Sequence, residues 1–158
     1  ALRSGVSLHL RAVHGRAEDD VWIVGGEDQR GVALRYDGTG LRVMYLPEPL
    51  RGVFVAGPRE VFVVGGTQEG PGVAYRFGRQ GFWRLPVPAV QGTWIAGVSG
   101  PWLVTDNGLV LHRDPSGAFA RLRPVDGSLS LRGVVAVDKD QALAVGSGGA
   151  VLRLSLRR

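Results

Sequence analysis

The sequence repeats a phrase of about eighteen residues. VWIVGGEDQRGVALRYDG begins at Val21, and VFVVGGTQEGPGVAYRFG begins at Val61, forty residues later. Repetition at a fixed period of this length is typical of proteins that stack similar small units, because one unit cannot bury its apolar faces alone. The repeat therefore constrains the fold more than any single residue does.

Four copies of the unit cover the chain. Each begins with a short motif: LRAV from Leu10, LRGV from Leu50, VQGT from Val90 and LRGV from Leu131. A second apolar run follows each motif (VWIVGG, VFVVGG, PWLVTDNG and ALAVGSGG), and then a third (GVALRYDG, GVAYRFGR, GLVLHRDP and GAVLRLSL). Three copies add a fourth run. We predict one domain over 1–158, with repeats at about 8–49, 50–89, 90–130 and 131–158.

Each run is predicted to be a β-strand. The runs hold four to seven mostly apolar residues between Gly, Pro, Asp and Asn turns, and the 25 Gly and 9 Pro residues disfavour helices. Runs such as VWIV and VFVV do not alternate with polar residues, so both faces of these strands should be covered. Four-stranded antiparallel units of forty residues that stack face to face predict an all-β fold, a four-bladed β-propeller.

The ends of the sequence suggest how such a propeller closes. The fourth repeat stops after its third run, while residues 1–6 match the register of residues 41–46. We therefore predict that residues 1–6 supply the closing strand of the last blade and cover its edge. Two alternatives remain: half of a larger propeller, or two copies that combine into an eight-bladed ring. The chain is thus expected to be a monomer or a homodimer.

Composition limits the function classes. The sequence has no cysteine, which excludes disulfides and cysteine-based metal sites. Its 19 basic residues outnumber 14 acidic ones, but they are scattered among carboxylates, so nucleic-acid binding is not predicted. No apolar run approaches the ~20 residues of a transmembrane helix. The sequence starts at Ala1, as expected of an exported protein that has lost its leader or of an excised fragment.

No catalytic motif is recognisable. The sequence lacks a nucleophile elbow, a phosphate-binding loop and a dinucleotide-binding glycine pattern. His9 and His14 should lie on opposite faces of one strand and His112 in another blade, so no metal site is predicted. Tyr36 and Tyr75 hold almost equivalent repeat positions, which suits a structural role. We expect no catalytic residue, no cofactor and no enzymatic activity.

Arginines recur at equivalent positions. One set lies in the innermost strands and would form a ring near the axis that could hold a carboxylate or phosphate group. A second set lies in the third strands. Duplication of an ordinary structural arginine explains both sets equally well. The first set is Arg11, Arg51, Gln91 and Arg132, and the second is Arg35, Arg76, Arg113 and Arg153.

The loops between the second and third strands vary most among the copies. Variable loops of repeat proteins tend to share the face that binds a partner. Exposed aromatic residues are also frequent at interfaces, and Trp83 beside Phe82 on the outer strand is such a candidate. The predicted partner-binding residues of the loops are Glu27, Asp28, Arg30, Glu69 and Asp106.

The pattern L-x-G-V, V-W-x-V-G-x-x-G, V-x-x-R-x-D-G resembles secreted bacterial propeller repeats of the BNR/sialidase type and the photosystem II assembly-factor type. The turns Asp37-Gly-Thr-Gly and Asp114-Pro-Ser-Gly are similar to the sialidase Asp box, without its Ser-x-Asp spacing and following Thr-Trp. The resemblance implies the fold, an extracytoplasmic location and a non-catalytic module that binds or scaffolds a protein partner. The alternatives are a carbohydrate-binding or glycan-processing propeller, and a structural fragment that acts only within a larger assembly.

Overall fold

The structure is a computed structural model that describes residues 1–88, 92–122 and 128–156. It contains four antiparallel β-sheets in chain order, each built from consecutive strands. Neighbouring sheets pack face to face through their first strands. The predicted all-β fold, a four-bladed β-propeller, is confirmed.

The first two sheets have four strands each. Tight turns join the strands, and Gly38 and Gly81 adopt φ values of 91° and 104° in turns between third and fourth strands, where a side chain would be strained. The first sheet comprises β1 (Leu10–Ala17), β2 (Asp20–Glu27), β3 (Arg30–Tyr36) and β4 (Leu41–Leu46). The second comprises β5 (Leu50–Gly57), β6 (Glu60–Gly66), β7 (Gly72–Gly78) and β8 (Gly81–Arg84).

The third sheet has four strands and the fourth sheet three. The third comprises β9 (Ile95–Ser99), β10 (Trp102–Thr105), β11 (Val110–Arg113) and β12 (Phe119–Leu122). The fourth comprises β13 (Leu131–Ala136), β14 (Gln141–Gly146) and β15 (Val151–Ser155), with a short 3-10 helix, Ser147–Gly149, between the last two.

The core consists of three layers between consecutive sheets. Trp22 packs in the layer between the first and second sheets, Phe62 between the second and third, and Trp102 between the third and fourth. These three residues hold the same position in β2, β6 and β10, so repetition of the sequence becomes repetition of the packing. Leu143 holds that position in β14, after which the described residues form no further sheet, and it is 40 % exposed.

The predicted closing strand does not form. Residues 1–9 are not in a strand, Leu2 is exposed, and among the described residues the last sheet ends at β15. The outer faces of the end sheets also expose Val13 and Val151. The similarity of residues 1–6 to residues 41–46 indicates a related sequence. A strand also needs the edge of a partner strand within hydrogen-bonding distance. Half of a larger propeller and a ring of two copies remain predictions.

The equivalence proposed for the third-strand arginines is wrong at one position. Arg35 lies opposite Trp22 and Arg76 opposite Phe62, whereas His112, not Arg113, lies opposite Trp102. Arg113 is therefore one residue out of register, which puts its side chain on the other face of the sheet.

Candidate functional site

The loops that follow the second strands and the segments that enter the first strands meet at one end of the molecule. They enclose an open cavity of about 680 Å³, which we call the axial cavity. Its walls come from the first three sheets. The lining residues are His9, Arg11, Glu27, Asp28, Gln29, Pro49, Arg51, Thr67, Gln68, Glu69 and Trp94.

A β-bulge in each first strand positions the arginines. In β1, β5 and β13 the pairing with the second strand skips one residue, which is Arg11, Arg51 and Arg132 respectively. A bulge leaves one residue without a cross-strand partner and re-aims its side chain. The repeated bulge therefore explains why these arginines recur at equivalent positions.

One member of the predicted arginine set, the residue of the third sheet, is wrong. There the pairing skips Ala96, because Thr105 pairs with Ile95 and Val104 with Gly97. Ala96, and not Gln91, is thus equivalent to the three arginines, and Gln91 itself lies outside the described residues. The motif that matches LRGV is Ile95-Ala-Gly-Val, and not VQGT, which begins five residues earlier.

Arg51 is the central cation of the site. Its guanidinium carbon lies 4.1 Å from the ring centroid of Trp94, and its Nε is buried without a hydrogen-bond partner among the described residues. Burial lowers the pKa of Arg51, the positive charges of Arg11 and Arg132 lower it further, and Asp106 opposes them. Three arginines from three sheets therefore share one electrostatic environment.

The other two arginines have partial partners. Arg11 donates from Nε to the carbonyl oxygen of Gly26 at 3.3 Å. Arg132 approaches Asp106 at 3.4 Å, and the same carboxylate accepts a hydrogen bond from the Ser130 hydroxyl. Arg11 and Arg51 line the cavity and form its cationic floor, while Arg132 and Asp106 interact with Arg51 from beyond the lining, so one carboxylate lies among three guanidiniums.

The rim carries the opposite charge. Glu27, Asp28 and Glu69 line the cavity from the loops that follow β2 and β6. Glu27 lies 3.4 Å from His9, and both are exposed, so this pair is worth little to stability. Asp28 has φ of 54°, the one non-glycine residue with positive φ among those the structure describes. The site thus combines a cationic floor with an acidic rim.

Four predicted residues do not line the axial cavity: Arg30, Trp83, Arg132 and Asp106. Arg132 and Asp106 pair beside it, and the other two lie elsewhere. The guanidinium of Arg30 covers the Tyr45 ring at 4.6 Å. Trp83 lies in β8 and is 43 % exposed, and the guanidinium carbon of Arg76 lies 5.5 Å from its ring centroid. Trp83 therefore presents a separate aromatic surface on the outer edge of the second sheet.

Sequence reasoning missed two residues of the site. Trp94 is buried beneath Arg51, and His9 stands at the rim. Correct alignment of the third bulge would have identified Trp94, because it immediately precedes β9 as Pro49 precedes β5. His9 was considered only as a metal ligand.

The remaining histidines and Tyr75 have structural partners. His14 Nδ1 accepts a hydrogen bond from the backbone of Val55 at 2.9 Å. Tyr75 donates to Glu48 at 2.5 Å, and burial together with that carboxylate raises the pKa of Tyr75 to about 12. A phenol that keeps its proton so firmly is a poor nucleophile at neutral pH. Within the described ranges no group of His, Asp and Glu could hold a metal ion, and no helix there could cross a bilayer.

Comparison with known proteins gives the fold. No protein-family model matches the sequence, and no curated protein sequence matches it significantly. Among solved structures, it is similar to virginiamycin B lyase from Staphylococcus aureus, with 13 % identity over 94 % of this chain and a TM-score of 0.56. It also matches a streptogramin B lyase, with 12 % identity over 94 % of this chain and 69 % of that one, and a TM-score of 0.46. The chain spans 56 % of virginiamycin B lyase.

The first similarity corrects one expectation. The prediction that the chain has no enzymatic activity is contradicted, since virginiamycin B lyase, which shares the fold, is named as an enzyme. At 12–13 % identity the likeness shows the fold alone, so it transfers no substrate. It supports a β-propeller and does not confirm the resemblance to sialidase-type or assembly-factor-type repeats.

Proposed function

We propose that this chain is a binding propeller whose axial cavity receives a carboxylate-bearing segment of a protein partner. The observation that carries the proposal is the charge of the cavity floor. Arg11 and Arg132 both repel the charge of Arg51, and Asp106 is the carboxylate that opposes them. A carboxylate bound to the guanidinium of Arg51 would relieve that repulsion.

The acidic rim favours a protein segment over a free anion. The rim carboxylates of Glu27, Asp28 and Glu69 would repel a small free anion. They can pair with basic residues that flank the carboxylate of a bound protein segment. Trp94 and Pro49 give the cavity an apolar wall that a peptide backbone can contact. Opposite charges on floor and rim therefore select a partner of mixed charge.

Titration with two matched peptides tests the carboxylate. We expect the capped peptide Lys-Glu-Glu-Lys to bind in calorimetry and capped Lys-Gln-Gln-Lys, which keeps the flanking lysines without the carboxylates, to bind at least about tenfold more weakly. Arg51→Gln should lower the affinity for Lys-Glu-Glu-Lys about tenfold, and Arg11→Gln with Arg51→Gln and Arg132→Gln should abolish binding. Affinity for Lys-Glu-Glu-Lys should also fall as salt rises.

Arg79→Gln is the matched control. Arg79 is exposed in the turn after β7, so this variant loses the same charge away from the cavity and should bind as the unmodified chain does. Equal affinity for the two peptides, or an unchanged affinity in the triple variant with an intact circular dichroism spectrum, would contradict the proposal.

A carbohydrate ligand is the second candidate, and the exposed indole of Trp83 is the observation that favours it. Sugars stack on aromatic faces, and the guanidinium of Arg51 already covers a face of the Trp94 ring. A glycan array in which binding is lost in Trp83→Ala, while Lys-Glu-Glu-Lys binding remains, would support this candidate over the first.

A further inference from the structure

A second cavity, of about 600 Å³, opens at the opposite end of the sheets. It lies beside the turns that join the first and second strands of the second, third and fourth sheets. The turn between the third and fourth strands of the third sheet also borders it. We call it the basal cavity. Its apolar wall consists of Phe54, Ala56, Phe62, Pro101, Pro115 and Leu156.

The layer between the first and second sheets shows how this region is filled elsewhere. There Phe77 and Phe82 pack on Trp22, with ring centroids 4.8 Å and 5.9 Å from it. Phe77 and Phe82 are direct cross-strand partners in β7 and β8. Three aromatic rings thus fill the layer at this end.

The next layer replaces one of those rings with a charge. Arg113 pairs with Phe119 across β11 and β12, as Phe77 pairs with Phe82, so Arg113 holds the position of Phe77. Its guanidinium carbon lies 4.9 Å from the ring centroid of Phe62. An arginine therefore enters an aromatic layer beside an open cavity.

Arg113 has no anionic partner among the described residues. Its Nε is buried and makes no hydrogen bond there. The carboxylates of the cavity wall are each held by another group. These pairs are Glu60 with Arg76 at 3.3 Å, Asp140 with Lys139 at 2.8 Å, and Asp114 with the Ser116 hydroxyl at 2.6 Å.

We propose that the basal cavity binds a small aromatic carboxylate. The aromatic body would lie in the cavity against Phe54 and Phe62, and its carboxylate would pair with Arg113. A planar guanidinium suits a carboxylate, and a partly desolvated pair is stronger than an exposed one. Small-molecule sites usually combine apolar walls with a few polar groups that fix the orientation of the ligand.

Calorimetry with 2-naphthoate and the uncharged 2-naphthamide tests this site. We expect 2-naphthoate to bind the unmodified chain at least about tenfold more tightly than 2-naphthamide. Arg113→Gln should remove that difference. Arg113→Phe introduces the residue type that the second sheet has at the equivalent position, Phe77, and should abolish binding of both compounds.

Two controls separate this site from the rest of the molecule. Arg153→Gln removes an exposed arginine of β15 and should leave both affinities unchanged. Arg42→Gln should also bind 2-naphthoate normally, because it removes an exposed arginine of the first sheet, which does not line the basal cavity. The proposal is wrong if 2-naphthoate does not bind, if both compounds bind equally, or if Arg113→Phe binds as the unmodified chain does.

Discussion

Single carboxylates organise the turns between third and fourth strands. Asp37 Oδ1 accepts hydrogen bonds from the backbone and hydroxyl of Thr39 and from the backbone of Gly40, at 2.8–3.0 Å. Asp114 accepts the corresponding bonds from Ser116 and Ala118. These bonds favour the ionised form, so they lower the pKa of Asp37 to about 2 and also lower that of Asp114.

The pKa of Asp37 predicts a dependence of stability on pH. Because the folded pKa of about 2 lies below the ordinary aspartate pKa of 3.8, the turn's contribution to stability is complete above about pH 4 and is lost as pH falls toward 2. Asp37→Ala should therefore lower the free energy of unfolding at pH 7, and the difference from the unmodified chain should shrink near pH 2. Urea unfolding of both proteins at pH 7 and near pH 2 measures this difference in free energy.

Glu18→Ala provides the comparison for that experiment, because it removes an exposed carboxylate of the neighbouring turn. Its effect at pH 7 should be small. A carbon-13 titration that places the midpoint of Asp37 near 4 would contradict the assignment.

At the scale of elements, the bulge at the start of each sheet explains both the arginines and the glycines. The backbone N–H of Gly26, Gly66, Asp106 and Ser147 donates to the carbonyl that precedes each first strand. In three sheets the adjacent residue of the second strand is glycine, and a Cβ on Gly65 would lie 2.1 Å from the Pro49 oxygen. The V-G-G pattern is therefore a requirement of the bulge that orients Arg51.

Gly65→Ala tests this requirement. The added methyl group meets backbone that cannot move without breaking the bulge, so we expect a loss of about 3 kcal/mol in the free energy of unfolding. Gly57→Ala is the matched control, since a Cβ there has no neighbour within 4 Å, and it should change stability by less than about 0.5 kcal/mol. Equal effects in urea unfolding would contradict the steric account.

At the scale of the whole molecule, the stability of the sheets should differ. Repeat proteins gain stability from neighbouring units, and the inner sheets have two neighbours while the end sheets have one. Val61 and Val63 in β6 are fully buried, whereas Val13 in β1 is 66 % exposed and Val151 in β15 is 69 % exposed.

Native-state hydrogen exchange measures that difference. Amides of β6 and β9 should exchange most slowly, and those of β1 and β15 at least about tenfold faster, because the end sheets can open while the centre stays folded. Equal protection throughout would show that the four sheets unfold as one cooperative unit and would overturn the prediction.

The sequence by itself determined the local structure. The forty-residue period, the apolar runs and the glycines were enough to predict four antiparallel sheets, because these signals act within a strand or a turn. It also identified Arg11, Arg51 and Arg132 as equivalent residues, since the bulge repeats with the motif.

Only the tertiary structure decided which residues meet. Burial of Trp94 under Arg51 depends on how the second and third sheets pack, and the environment of Arg113 depends on a one-residue register that reverses the face of its side chain. Residues 1–9 form no strand although their pattern would allow one. Strand pairing is a non-local interaction, and it requires a partner edge that sequence similarity alone does not bring within reach.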